Sequence, residues 1–356
     1  MAIMIQDKAA LQNAINAGEV FHQQHFLQGN FNEAQLGGGL FTDCEFQNCS
    51  FDQAKFEQCN FLNCHFEGCS FTNTEWLDCN LSQCKLGAAN FSNSQLPGIN
   101  LIECELSGCR FIACNLQEAN IAECTANNTS FAQASLSFAN LLNCNFNGSD
   151  FQQSELERCN FIECDLTNSQ FQQAYMQQSL FEKPVFNGQN FSDMHMAMCQ
   201  FRSAQMTGCD FSRSNLTQAA FVEATLHKCV FEQIQGQAIL FYGSDLTGSN
   251  LRNSLLDQAS MQLSNLSACD LTGSSLVQAQ MSEAQMPNTQ LKNCDLRYAN
   301  LANAILSYTD FSNSDVNFTN LHAIIDHGSV WSGCNRSKAL KTDEKREKAE
   351  LWKVKA

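Results

Sequence analysis

The chain has 356 residues, of which 44% are hydrophobic and only 16% charged, a balance that excludes a disordered chain. A net charge of −16 argues against direct nucleic-acid binding, which needs a basic surface. No apolar run reaches the ~18 residues of a membrane span, and MAIMIQDKAA lacks the regions of a signal peptide, so a cytoplasmic protein is expected.

The first element in chain order is a short helix over residues 5–18. Ile5, Leu11 and Ile15 share one face, Asp7 stands in the first turn, and Gly18 supplies a stop. It is expected to cap the repeat region beyond it. From Phe21 a large apolar residue recurs at every fifth position to Leu321, and of these 61 positions only Ala126 and Gly236 break the rule. Two residues before each centre, 53 of 59 positions hold Gly, Ala, Ser, Cys or Thr, and Asn or Asp often directly precedes the centre. A period of five fits neither a helix nor a single strand. It fits a chain that turns a corner every five residues, with the bulky and the small residue inward and four corners closing a coil of twenty. Coils stacked at ~4.8 Å give a rod on the order of 70 Å long, with about 15 coils.

Segments such as ANFSN at 89–93, ANIAE at 119–123 and ANLAN at 299–303 resemble the A(D/N)LXX signature of pentapeptide repeat proteins. The resemblance implies an all-β solenoid, a right-handed quadrilateral β-helix, and says little about activity. The division is then a capping helix over 1–20, a repeat region over 21–325, and a termination loop with a charged tail over 326–356.

Residues twenty apart are expected to stack. That places eleven Phe, from Phe31 to Phe231, in one column, and the seven Cys from Cys44 to Cys164 in another. Every Cys except Cys334 falls at the small inward position, where a free thiol packs as a small hydrophobe interchangeable with Ala or Ser. Spacing for a metal site is absent, and no cofactor is expected. Gly236 leaves a vacancy that Ile234 and Ile239 are large enough to refill. Pro184, Gln189 and Met194 hold three successive small positions, and since proline cannot donate to a ladder this stretch is the candidate kink.

After Leu321 the period fails at Asp326. The tail is expected to form a helix with pairs such as Glu344 with Lys348, and a weak stripe of Leu340, Leu351, Trp352 and Val354. Tyr298 and Phe318 face outward one coil apart, with Tyr308 on another face. With Trp331 and Trp352 they form the candidate interaction surface, covered by the tail or by a second copy in a homodimer through this end. His22 and His25 have no recognisable carboxylate partners, there is no phosphate loop or nucleophile elbow, and no enzyme is expected.

Two classes of function remain. One is a non-enzymatic interaction scaffold for a protein partner. The other, implied by the resemblance, is a DNA mimic that binds type II topoisomerase and confers quinolone tolerance; proteins of this kind also accompany type VI secretion, with export as an effector. Residues 21–170 hold 17 acids against 4 bases and 171–321 hold 12 against 7, so the first half is the more DNA-like. By column the four faces net −5, −3, −4 and −6, so no face dominates. A duplex of ~70 Å carries roughly 40 phosphates, more than twice the net charge of −18 over 21–321.

Overall fold

The computed structural model describes residues 7–350 and Trp352. The chain divides into two compact units, Met1–Leu180 and Phe181–Ala356. Each is a β-solenoid carrying one short helix.

In the first unit, helix α1 spans Lys8–Asn16. The Asp7 carboxylate caps it by accepting from the Ala10 amide at 2.9 Å, which satisfies one of the free donors of the first turn. Leu11, Ala14 and Ile15 are buried, and Gly18 closes the helix at φ +77°. Ile5 lies outside the described residues. The helix sits over the open end of the first coil: Lys8 pairs with Glu33 at 3.2 Å, and the Gln12 amide group donates to the Gln35 carbonyl at 3.2 Å. An end of exposed core is thereby covered.

Eight three-residue strands of this unit, from Val20–His22 to Asn160–Ile162, pair in parallel with a shift of twenty: Phe21 faces Phe41, Leu81 faces Leu101, and Leu141 faces Phe161. Two three-stranded sheets begin on other faces, at His25–Leu27 and Gln35–Gly37. The remaining ladder runs through single-residue bridges such as Asn30 with Ser50. The second unit continues the same shift in its bridges, from Val185 with Gln205 to Asn320 with Leu340.

The stacking expected of residues twenty apart holds in both units. Phe51 and Phe71 lie parallel at 5.1 Å, Phe71 and Phe91 at 4.8 Å, and Phe151 and Phe171 at 5.1 Å; in the second unit Phe211 and Phe231 stack at 4.8 Å. Neighbouring walls meet edge to face, as Phe46 and Phe51 do at 5.7 Å. Where the Phe columns run, the core is a ladder of like rings along a wall, locked by crossed rings between walls; from Leu246 to Leu306 the centres are Leu and Met instead.

The corners are made by the residue two after each centre. All positions ending in 3 or 8 from Gln23 to Ala323 have φ between +49° and +76°. This left-handed region is costly for L residues and worst for β-branched ones, and no Val, Ile or Thr occurs at any of them. The ladder offsets the strain: the corner amide donates to the carbonyl nineteen residues on, as Gln53 does to Thr72 at 2.9 Å.

The inward cysteines are free, nineteen of them buried and Cys334 half-buried. They are more than small hydrophobes. Each thiol of the Cys44 column points at the centre carbonyl twenty-three residues earlier, Cys64 to Phe41 and Cys84 to Phe61 at 3.5 and 3.4 Å. Hydroxyls at the same position do likewise, Ser94 to Phe71 at 2.7 Å and Thr129 to Leu106 at 2.8 Å. Cys and Ser thus bring a donor to an interior carbonyl that Ala lacks, while Ala also takes the small position, as at Ala34, Ala54 and Ala89.

At Gly236 an added Cβ would stand 3.1 Å from both Ile234 Cδ1 and Leu256 Cδ2. Ile234 does refill the space, joined by Leu256. Pro184 occupies the column of Cys44 to Cys164, where the amide of the small residue makes no backbone hydrogen bond among the described residues. Proline therefore costs the ladder nothing at that position. The carbonyls of Pro184, Gln189 and Met194 each accept from the next coil at 2.9 Å, from Gln205, Asp210 and Asn215.

Candidate interaction surface

Tyr298 and Phe318 stand at left-handed corners, φ +62° and +60°, which throw their side chains off the wall. Their rings stack at 5.1 Å and 9°, and they are 54% and 43% exposed. Tyr308, at another corner, is 66% exposed; its ring lies along Gly328, where a Cβ would meet it at 3.0 Å. Trp352 is exposed beyond the tail helix. The ring contacts of the described residues thus join Tyr298 with Phe318, and none links Tyr308 or Trp352 to that pair.

Trp331 has a different place from the one expected. Its ring stacks on Phe311 at 4.0 Å, its indole N–H donates to Asp326 Oδ2 at 3.0 Å, and the Arg336 guanidinium lies 4.2 Å above its face. It plugs the end of the core instead of dressing a wall.

The tail forms helix α2, Glu344–Glu350, with no buried residue. Its i,i+4 pair is Arg346 with Glu350 at 2.6 Å, where Glu344 with Lys348 was expected. Leu340 belongs to the ladder instead of a stripe, bridged to Asn320, while Leu351 and Val354 lie outside the described residues. What holds the tail is His322, buried to 2% exposure. Its Nδ1 accepts from the Asp343 amide at 3.1 Å, which leaves the proton on Nε2, 3.1 Å from Glu350 Oε2. Arg346 and then His322 hold the Glu350 carboxyl below its usual range. A groove of ≈ 820 Å³ runs between α2 and the corner of Leu263, Glu283, Asn303 and Ala323. The tail does pack on its own solenoid, yet away from Tyr298 and Phe318, which stay uncovered.

The longest run of paired strands in the first unit lies on the face of its eight parallel strands. From Leu40 to Ile162 the residues on either side of each centre are Leu, Thr, Asn, Ser, Ile or Ala, without one charge. The asparagines form a hydrogen-bonded row, Asn80 to Asn60 at 2.9 Å and Asn100 to Asn80 at 2.7 Å. Beside it runs an aliphatic row of Leu62, Ile102, Leu142 and Ile162. The acids of this face, Asp43, Glu103, Glu123 and Glu163, all sit at its corner. Column sums merged corner with wall and hid this strip; separating the position after the centre from the one two after it would have found it.

His22 and His25 do have carboxylate neighbours, one coil on: Asp43 at 3.5 Å and Glu45 at 2.8 Å. These are exposed pairs of small energy. Among the described residues no group of three or more His, Cys, Asp or Glu side chains could hold a metal ion. No helix among them is long and apolar enough to cross a membrane.

Two family models match. Residues 39–109 and 154–222 fit the pentapeptide repeat region, and residues 114–153, 240–273, 264–297 and 288–322 fit the model of eight pentapeptide repeat copies. No curated protein matches. Among solved structures, HetL, a pentapeptide repeat protein involved in heterocyst differentiation regulation from the cyanobacterium Nostoc sp. strain PCC 7120, is 19% identical, with 77% of this chain and 90% of that chain covered and a TM-score of 0.19. Trypsin-treated QnrB1, a plasmid-mediated fluoroquinolone resistance protein, is 16% identical, with 71% and 91% covered and a TM-score of 0.24. Rfr23 from the cyanobacterium Cyanothece 51142 is 14% identical, with 48% and 91% covered and a TM-score of 0.15. With family models matched in both units and every fifth side chain of each turned inward, the chain belongs to the pentapeptide repeat family.

Proposed function

We propose that this protein is a non-enzymatic interaction scaffold, a right-handed solenoid of about 15 coils by the sequence arithmetic, that binds a protein partner in the cytoplasm. The observation that carries the reading is the uncharged strip of the first unit, flat and regular within an acidic chain. Such a wall lets a partner approach without desolvating charge, and a pre-formed solenoid loses little entropy when it is covered. Tyr298, Tyr308 and Phe318 offer a second contact, for a partner or for a second copy of the chain.

The test is site-specific photo-crosslinking from Leu62 and Leu142, with Tyr298 as a second probe, read beside the chain's mass in solution by light scattering. Adducts that disappear with Leu62→Glu and Leu142→Glu support the strip; adducts unchanged by both charges remove it. The topoisomerase reading rests on the acid excess of residues 21–170. A supercoiling assay with gyrase decides it, since inhibition at stoichiometric amounts would replace the scaffold by the mimic.

A further inference from the structure

Several cations of this acidic chain pair with carboxylates: Lys8 with Glu33, Lys55 with Glu75, Arg213 with Asp193, Arg252 with Asp270 and Lys292 with Asp310. The end of the second unit differs. Arg336, Lys338 and Lys341 fall within six residues that contain no acid, all three are exposed, and none has an ion-pair partner among the described residues. The nearest carboxylates are already engaged. Asp326 accepts from the Trp331 indole and the Ser329 amide, and Asp343 caps α2 through the amides of Lys345 and Arg346.

Arg336 and Lys341 border an open cavity of ≈ 510 Å³ whose floor is Leu321, Ile324 and Ala339, and Lys338 stands at its edge in the chain, between the lining residues Ser337 and Ala339. Arg336 is held in place there by its stack on Trp331, itself stacked on Phe311. Stacking uses the face of a guanidinium and leaves its N–H edge free for a carboxylate, a pre-organised donor.

We propose that this end pocket binds an acidic peptide segment of a partner protein, an aliphatic side chain seated on Leu321, Ile324 and Ala339 and the flanking carboxylates held by Arg336, Lys338 and Lys341. The proposal rests on the scaffold reading and names the chemistry of one partner contact. A peptide fits better than a lone phosphate for two reasons. The cations are strung along the chain instead of converging on one point, and the apolar floor calls for a side chain that phosphate lacks. Arg-rich sites that read acidic motifs work in this way.

The probe is a fluorescein-labelled, amidated peptide Glu-Glu-Leu-Glu-Glu, titrated by anisotropy with the full chain at 50 and 200 mM NaCl, with quenching of Trp331 followed in parallel. Binding is expected to weaken severalfold at the higher salt. It should weaken at least tenfold in Lys338→Glu/Lys341→Glu, and at least threefold both in Arg336→Gln and when the peptide's Leu is replaced by Gln. Lys85→Glu/Arg110→Glu, the same charge change in the first unit, should leave it unaltered. Equal binding by the double variant, or by a peptide with Gln for every Glu, overturns the proposal. So does full displacement by inorganic phosphate at matched ionic strength, which reassigns the pocket to a simple anion. Since Arg336→Gln disturbs the end stack, the two lysine changes carry the decision, with thermal unfolding confirming that they fold. If the peptide fails to bind while adducts from Leu62 still form, this inference falls and the scaffold stands; if both fail, the scaffold falls too.

Discussion

The first unit lines one corner column with thiols, Cys44 to Cys164, whereas the coils of the second from Phe221 on line the matching column with Ala224, Ser244, Ser264 and Ala284. In the thiol column the amide of the small residue makes no turn bond, and at Cys104 and Cys124 it donates instead to the sulfur of the next coil at 3.3 Å. In the second unit the equivalent amide closes a turn on the centre carbonyl, as Ser244 does on Phe241 at 3.1 Å. The same five-residue unit therefore makes two kinds of corner. In both, interior carbonyls are satisfied: in the first by the thiol, in the second by the backbone amide, as at Ala224 and Ala284, with the hydroxyl added at Ser244.

The largest effect that would test this contrast lies in the core itself. Phe71→Ala removes a ring stacked between Phe51 and Phe91 and should cost about 3–5 kcal/mol, against about 2–5 for Leu276→Ala in the second unit, measured by denaturant unfolding. If each substitution lowers hydrogen-exchange protection only within its own unit, the division near Leu180 is energetic as well as geometric. Next come the polar pairs. Cys124→Ala should cost about 1 kcal/mol and Cys124→Ser close to nothing, because a hydroxyl serves the Leu101 carbonyl as the thiol does. A neutral Cys124→Ala would show that the thiol only fills space. Native thiol titration should label Cys334 alone, since the others are buried and burial pushes Cys109 and Cys114 up to about 12.

Corner strain is smaller and common to both units. Gln218→Val should destabilise by about 1–2 kcal/mol, and Gln218→Gly should stabilise by a few tenths, because the position is left-handed and exposed. A tolerated valine there would break the account of the corners. The smallest effect concerns the tail. The Glu350 carboxyl is depressed in the folded chain, so the contact it makes is present above the ordinary carboxyl range and is lost as pH falls through the depressed value. The protection factor over 344–350, corrected for the intrinsic exchange rate, should therefore fall in acid, and Glu350→Gln should remove that pH dependence while the walls keep their protection.

Much of the fold was legible in the residues because a period of five, held over three hundred positions, leaves few ways to bury the apolar set. The Phe columns, the inward thiols and the volume exchange at Gly236 all followed from side-chain size and a shift of twenty. The candidate surface was legible only in part. Tyr298 and Phe318 stack outside as their positions require, but Trp331 turned out to seal the core, since after Asp326 the pattern no longer says which way a ring points. The charge-free strip was present in the letters, yet it becomes visible only when corner and wall positions are separated, and that separation is conformational.

Residue sequence alone determined which side chains face inward and which stack, because hydrophobic burial at a fixed period is a local rule. Which corner each pentapeptide makes was decided in three dimensions. Cys109 closes a turn on Leu106 at 2.9 Å while Cys104, five residues before it, closes none. The residue type is the same, and the column does not decide it either, since Cys49 and Cys69 stack in the row of Cys109 and close no such turn. Within one column the turn is absent at Cys69 and closed at Ala89, the next coil, so the kind of corner is set by how neighbouring backbones pair along the ladder and not by the letters of a single repeat.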